Sequence, residues 1–174
     1  MATTYEAKSY KGVPAVSANT FPGVVRRAVS IDLEELTGDA SYAFVINDIV
    51  KVFKLPPLAK ILYGRLVSGD VALDDHATPT LDLDVIVTDG TTTKTLVNGG
   101  TAINQADVTA VTDLDADNAY LYVTTDDDFY VAVKAIAAAA GDAAADATFI
   151  VDVEYTGILE PGETPASGFD DLTP

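Results

Sequence analysis

Cysteine and tryptophan are missing from this 174-residue chain, and Met1 and His76 are its only methionine and histidine. Without cysteine there is no disulfide staple, no thiolate ligand and no thiol nucleophile, which fits a reducing compartment. One domain of this length buries enough core to do without staples, which chains below about 40 residues usually need. A single imidazole with no cysteine makes a poor basis for a zinc site. A hydrolytic triad would have to use His76, which lies in an acidic, proline-bounded loop, and no Gly-x-Ser-x-Gly is present. No phosphate-cradling glycine loop precedes a helix pattern. The 27 acidic residues supply many carboxylate pairs, but the missing tryptophan removes a common sugar-stacking platform, against both a glycosidase and a carbohydrate-binding module. Long apolar runs are missing too. The longest, residues 135–140, is far short of the roughly 20 residues of a membrane span. The first residues have no apolar h-region, so no secretory signal is read. The expectation is a non-enzymatic protein with no cofactor and no membrane partner.

Positive charge is also scarce. The net charge is −17, which argues against direct nucleic-acid binding, because phosphate neutralisation needs clustered Lys and Arg. Residues 1–94 carry 9 basic and 12 acidic residues, whereas residues 95–174 carry Lys134 against 15 acids. Such asymmetry predicts that the two halves meet different surroundings. The plainer reading is solubility, or adaptation to salty medium, through mutual repulsion.

What the chain has in abundance is strand sequence. Val29, Ile31 and Leu33 alternate with Ser30, Asp32 and Glu34, and Thr37-Gly38-Asp39 marks a turn. An apolar run at 42–46 predicts a second strand, interrupted by Asn47-Asp48. Residues 49–55 predict a third, halted by Pro56-Pro57, which remove two ladder donors. Residues 59–73 predict another, with a bend at Ser68-Gly69-Asp70, and 74–79 a loop. Leu81, Leu83, Val85 and Val87 alternate with Asp82, Asp84 and Ile86, and Asp89-Gly90 predicts a type I′ hairpin to 91–97. Strands are expected at 120–124, at 129–135 and at 149–155, with the alanine-rich 135–147 as a loose hairpin tip. Residues 1–24 show no period and read as an extended arm, 25–157 as the β domain, and 158–174 as a proline- and acid-rich flexible tail. Many short strands with turns between them predict an antiparallel β-sandwich or barrel, and the alternation excludes an all-parallel sheet.

Asp113, Asp115 and Asp117 occupy positions 1, 3 and 5 of a calcium loop, but position 6 is Asn118 and position 12 is Thr124. An EF-hand needs Gly and a bidentate Glu there, so the plain reading is a solvated acidic loop, with an irregular cation site as the sharper one. Asp126-Asp127-Asp128 reads as a hairpin tip facing water.

The stretch 42–68, with its strand, Leu55-Pro56-Pro57 corner and second strand opening on Ala59, resembles small structural proteins of tailed-bacteriophage heads. Thr80 to Gly90, the Thr-rich segment ending in Asn98-Gly99-Gly100, the strand at 119–124, the alanine-rich link and Phe149 to Tyr155 extend the likeness over residues 42–157. The lysines 51, 54 and 60 around the corner depart from the pattern. The resemblance implies a jelly-roll-like sandwich that decorates or cements the exterior of a capsid. The implied partners are the major capsid protein and sister copies in a symmetric homo-oligomer, assembled in the host cytoplasm. The arm residues Tyr5, Lys8, Tyr10, Lys11 and Phe21, with Arg26 and Arg27, are the expected contacts, aromatics as anchors and cations as steering charges. The plain alternative is that the arm packs on its own domain and the arginines pair with local acids. The alternative function is a freestanding or fibre-associated β-sandwich binding module, with cation dependence as its mark.

Overall fold

One turn organises the pairing of the whole chain. In the computed structural model, which describes residues 1–10, 24–56, 59–106, 108–111, 121–122 and 129–156, Asp89-Gly90 begins the loop between β5 (Asp82–Thr88) and β6 (Thr93–Asn98). Thr88 pairs with Thr93, so four residues lie between the strands rather than the two of a type I′ turn. The Asp89 carboxylate accepts from the N–H groups of Thr91 (2.7 Å) and Thr92 (2.5 Å), and Gly90 takes a φ of 94° that other residues reach only under strain.

Outward from this tip the chain pairs with itself in nested order. β4 (Lys60–Ser68) meets β7 (Thr109–Val111) and β8 (Leu121–Tyr122), β3 (Ile49–Lys54) meets β9 (Tyr130–Ala137), and β2 (Val24–Asp32) meets β10 (Thr148–Thr156), all antiparallel. Partners keep nearly equal chain distances from Gly90, and Asp32 and Thr148 keep equal ones. The chain is therefore one long ribbon folded over on itself. Folding over sorts its strands into two sheets, ordered β1-β3-β9-β5-β6 and β2-β10-β4-β7, with β1 (Thr4–Glu6) parallel to β3. This is the strand order of a jelly roll. The expected all-β sandwich is what forms.

The core lies between the sheets. Phe149, Val151, Val153 and Tyr155 of β10 face Val50, Val52, Leu83, Val85, Val131 and Val133 of the other sheet, all essentially inaccessible to water. Tyr155 stacks on Phe53 across the gap, with ring centroids 6.2 Å apart. Gly99 belongs here for a steric reason: a Cβ would sit 2.0 Å from the Leu83 carbonyl oxygen.

Several expectations need correcting. Residues 42–46 are not a strand. They form a loop in which only Phe44 is fully buried, since Val45 and Ile46 point into water. Leu33 does not extend β2 but opens a short helix, α1 (Leu33–Thr37), capped by Asp32 at its start and by Gly38, at φ 75°, after its end. The alanine-rich segment is no hairpin tip, because β9 and β10 lie in different sheets, and residues 138–147 cross between them. β5 is buried on both faces: Ile86 joins Tyr130 and Ala132 in a second apolar cluster outside the sandwich, and Asp84 is 8% exposed. The expected acidic loops at 113–118 and 126–128 and the tail at 158–174 lie outside the described residues.

Because strands alternate in direction along the ribbon, loops 33–48, 69–81 and 138–147 gather at one end of the sandwich. Backbone bonds tie them together: Ala143 N–H to the Tyr42 carbonyl, Ala144 to Ala72 and Asp75 to Asp142.

Candidate functional site

The N-terminal segment comes first. Thr3 donates its N–H to Asp48 (2.7 Å) and accepts from Ile49, β1 pairs along β3, Ala7 donates to the Lys51 carbonyl, and the Ser9 hydroxyl donates to Val52. Residues 1–10 thus cover the edge of β3 rather than reaching away, which shields an otherwise open ladder.

The residues singled out from sequence distribute along this segment and β2. Tyr5 is half-buried, edge-on to Tyr42 at 5.5 Å, and Tyr10 is edge-on to Tyr130 at 5.6 Å on the outer face of its sheet. Lys51 lies over both Tyr10 and Tyr130. Lys8 pairs with Glu35 of α1, its side chain 82% exposed. Arg27 stacks over Phe53, 4.7 Å from the ring centroid, and donates to the Ser9 carbonyl. Arg26 pairs with Asp152 while staying largely in water. Packing on the own domain, the plain alternative for these residues, therefore describes the observed partners of Tyr5, Tyr10, Lys8, Arg26 and Arg27. Lys11 and Phe21 lie outside the described residues.

Three buried carboxylates that the sequence reading passed over organise the surface. Asp48 (1% exposed) accepts from Thr3 N–H, from the Tyr42 hydroxyl (2.5 Å) and from Val45 N–H (2.7 Å). Burial, followed by the bond to Asp48, pushes the Tyr42 hydroxyl far above its usual pKa, so it stays a donor. Asp74 accepts from four backbone N–H groups, those of Thr80, Leu81, Ala140 and Gly141, which joins two loops. Burial pushes its carboxyl up, but the four bonds outweigh it and the net shift is downward. Asp152, whose side chain has no accessible surface, sits on the outer face of central strand β10 between Arg26 of β2 (2.5 Å) and Arg65 of β4 (2.7 Å). The hydrogen bond from Arg26 leads in holding its carboxyl below the usual range, against burial. Its only sequence signal was its place, with Glu154, on the outward face of an alternating strand.

His76 is exposed and bonded within its own loop, its Nδ1 accepting from Thr78 N–H at 3.1 Å. Among the described residues no three His, Asp or Glu side chains converge to hold a metal ion. An open groove of about 420 Å³ runs between residues 6–9, β2 and α1, floored by Ala7, Val29, Ile31 and Leu36.

No protein-family model and no curated protein matches the chain. Solved structures do. A chain in the capsid of Ralstonia phage GP4 is similar at a TM-score of 0.64 and 19% identity, covering 89% of this chain and 98% of that one. A chain in the Cyanophage Pam1 capsid asymmetric unit is similar at 0.55 and 24%, covering 84% and 94%. These likenesses show a shared fold.

Proposed function

We propose that the chain is a non-enzymatic structural protein of a bacteriophage virion that binds the outside of the capsid shell and stabilises or decorates it. The observation that carries this reading is the extent of the shared fold. Nearly all of the sandwich, rather than a fragment, superposes on chains that are parts of phage capsids and are themselves about this size. A jelly roll suits the task physically, since its two sheets are rigid and its few open edges and faces are available for neighbours.

In this reading the partners are the major capsid protein and sister copies in a symmetric oligomer, with assembly in the host cytoplasm. Tyr5, Tyr10 and Arg27 hold the arm against the domain, and the exposed cations Lys8 and Arg26 meet the neighbour. Lys11, Phe21 and the rest of the 1–24 arm complete the contact. Charge of this kind sets encounter rate and register more than affinity.

The test is to mix the purified chain with phage capsids that lack it and to read stoichiometry by light scattering. A fixed number of copies per shell is expected. Closure of the chain into shells by itself would make it a shell subunit instead, and a monomer that ignores capsids would overturn the reading. Lys8→Glu is expected to weaken association between sister copies, read by light scattering of the free protein, while leaving the melting temperature unchanged, because the Lys8–Glu35 pair is exposed and worth little to stability.

A further inference from the structure

Four large hydrophobic side chains among the described residues are exposed: Met1, Val45, Ile46 and Ile136. Scattered singly they would mean nothing, but all four lie around Asp48. Its carboxylate holds Thr3, two residues from Met1, and the N–H of Val45. Its carbonyl accepts from Ala135 N–H, and Asn47 N–H donates back to the Ala135 carbonyl, so Ile46 and Ile136 stand on adjoining segments. Asn47 takes a φ of 68°, in the left-handed region, to complete the turn. A buried acid, a strained residue and a two-way backbone clamp therefore hold an apolar cap outward. A loop facing only water would gain nothing from such rigidity.

The surroundings of the cap say what covers it. Loops 33–48, 69–81 and 138–147, which share this end of the sandwich, contain nine acidic residues and no Lys or Arg. Glu34, Asp39, Asp70, Asp75, Asp142 and Asp146 are exposed among them, and Lys8 reaches Glu35 from the side. Two copies of this chain brought together through this end would set acid against acid, which disfavours a second copy as occupant.

We propose that the loop end is a docking surface, its centre formed by Val45, Ile46 and Ile136, for a different protein that offers an apolar depression rimmed by Lys and Arg. This rests on the virion reading above and deepens it: the occupant is the capsid shell, met end-on, with Asp48 as the positioning residue of the cap. The fully desolvated centre would carry the affinity and the acidic rim the orientation.

The experiment compares wild type, Ile46→Asp and the doubly reversed Asp142→Lys/Asp146→Lys in co-sedimentation with undecorated capsids, at low and at high salt, with melting temperature and oligomeric state measured on each. Ile46 is half exposed, so Ile46→Asp is expected to keep its fold and lose about tenfold or more in shell affinity. The charge-reversed variant touches no apolar residue and is expected to bind more weakly at low salt and to lose its salt dependence. Wild-type binding with both variants equal to it would overturn the inference while leaving the virion reading intact. A changed oligomeric state in Ile46→Asp with unchanged shell binding would also overturn it, by making a second copy the occupant. If wild type itself ignores capsids, both readings fall.

Discussion

Asp74 and Asp152 are both buried carboxylates with depressed pKa values, yet they are held by different means. Asp74, at the loop end, is gripped by four backbone N–H groups from two loops. Asp152, on the outer face of β10, is gripped by two arginine side chains from the flanking strands. Backbone donors have no substitute side chain and cannot swing away. Arginines can do both, and Arg26 is more than half exposed. The first arrangement fixes where loops go, and the second fastens three strands side by side.

The largest effect that would break this contrast is expected at Asp74. Asp74→Ala orphans four N–H groups and should cost about 3 kcal/mol or more, or roughly 6–12 °C in melting temperature for a domain of this size, measured by calorimetry. No second substitution should rescue it. Asp152→Ala leaves two guanidiniums facing each other, but water lies one side chain away, so about 2 kcal/mol is expected. Here rescue is expected: adding Arg26→Leu and Arg65→Leu should return most of the loss, since apolar replacement of an ion cluster is often neutral. Equal rescue at both sites, or none at either, would mean the two grips are alike.

Acid sharpens the comparison. The folded-state pKa values of Asp74 and Asp152 lie below the ordinary value of 3.8. Their contribution is therefore fully present above that value and is lost as pH falls through the folded ones. Unfolding monitored below about pH 4 should show stability dropping steeply, and Asp74→Asn should flatten that limb. Asp84 runs the other way. Burial, then its neighbour Asp82, raises its pKa, so its contribution is present below 3.8 and is lost as pH rises through the folded value. Asp84→Asn is expected to leave neutral-pH stability unchanged or slightly higher, the smallest effect of the set, and a clear destabilisation there would contradict the assignment.

These carboxylates also mark where the sequence was legible. Alternation located β2 and β5, and apolar strand runs located β3, β9 and β10; period 2 is what a core-facing strand imposes, although β5 is buried on both faces. The jelly-roll order was legible only through resemblance; nested pairing is a property of residues far apart in the chain, and local pattern is silent about it. The 42–46 run misled because Phe44 alone turns inward, and Asn47-Asp48 read as an interruption although Asp48 is the residue that holds the loop. The arm residues were visible as aromatics and cations, but their present partners, Tyr42, Tyr130, Phe53 and Asp152, lie far from them along the chain.

The nested ribbon bears on how the chain is made. β10 lies between β2 and β4, so nothing joins those two strands until β10 exists. A ribosome delivers β2 early, with Val25, Val29 and Ile31 awaiting a strand more than a hundred residues further on. A molecule released before residue 148 would keep the Gly90 hairpin and its first neighbours but would have two halves of a sheet with nothing to join them. The fold thereby inspects its own length: only a chain translated through to β10 acquires the rigid faces that an assembly partner can recognise.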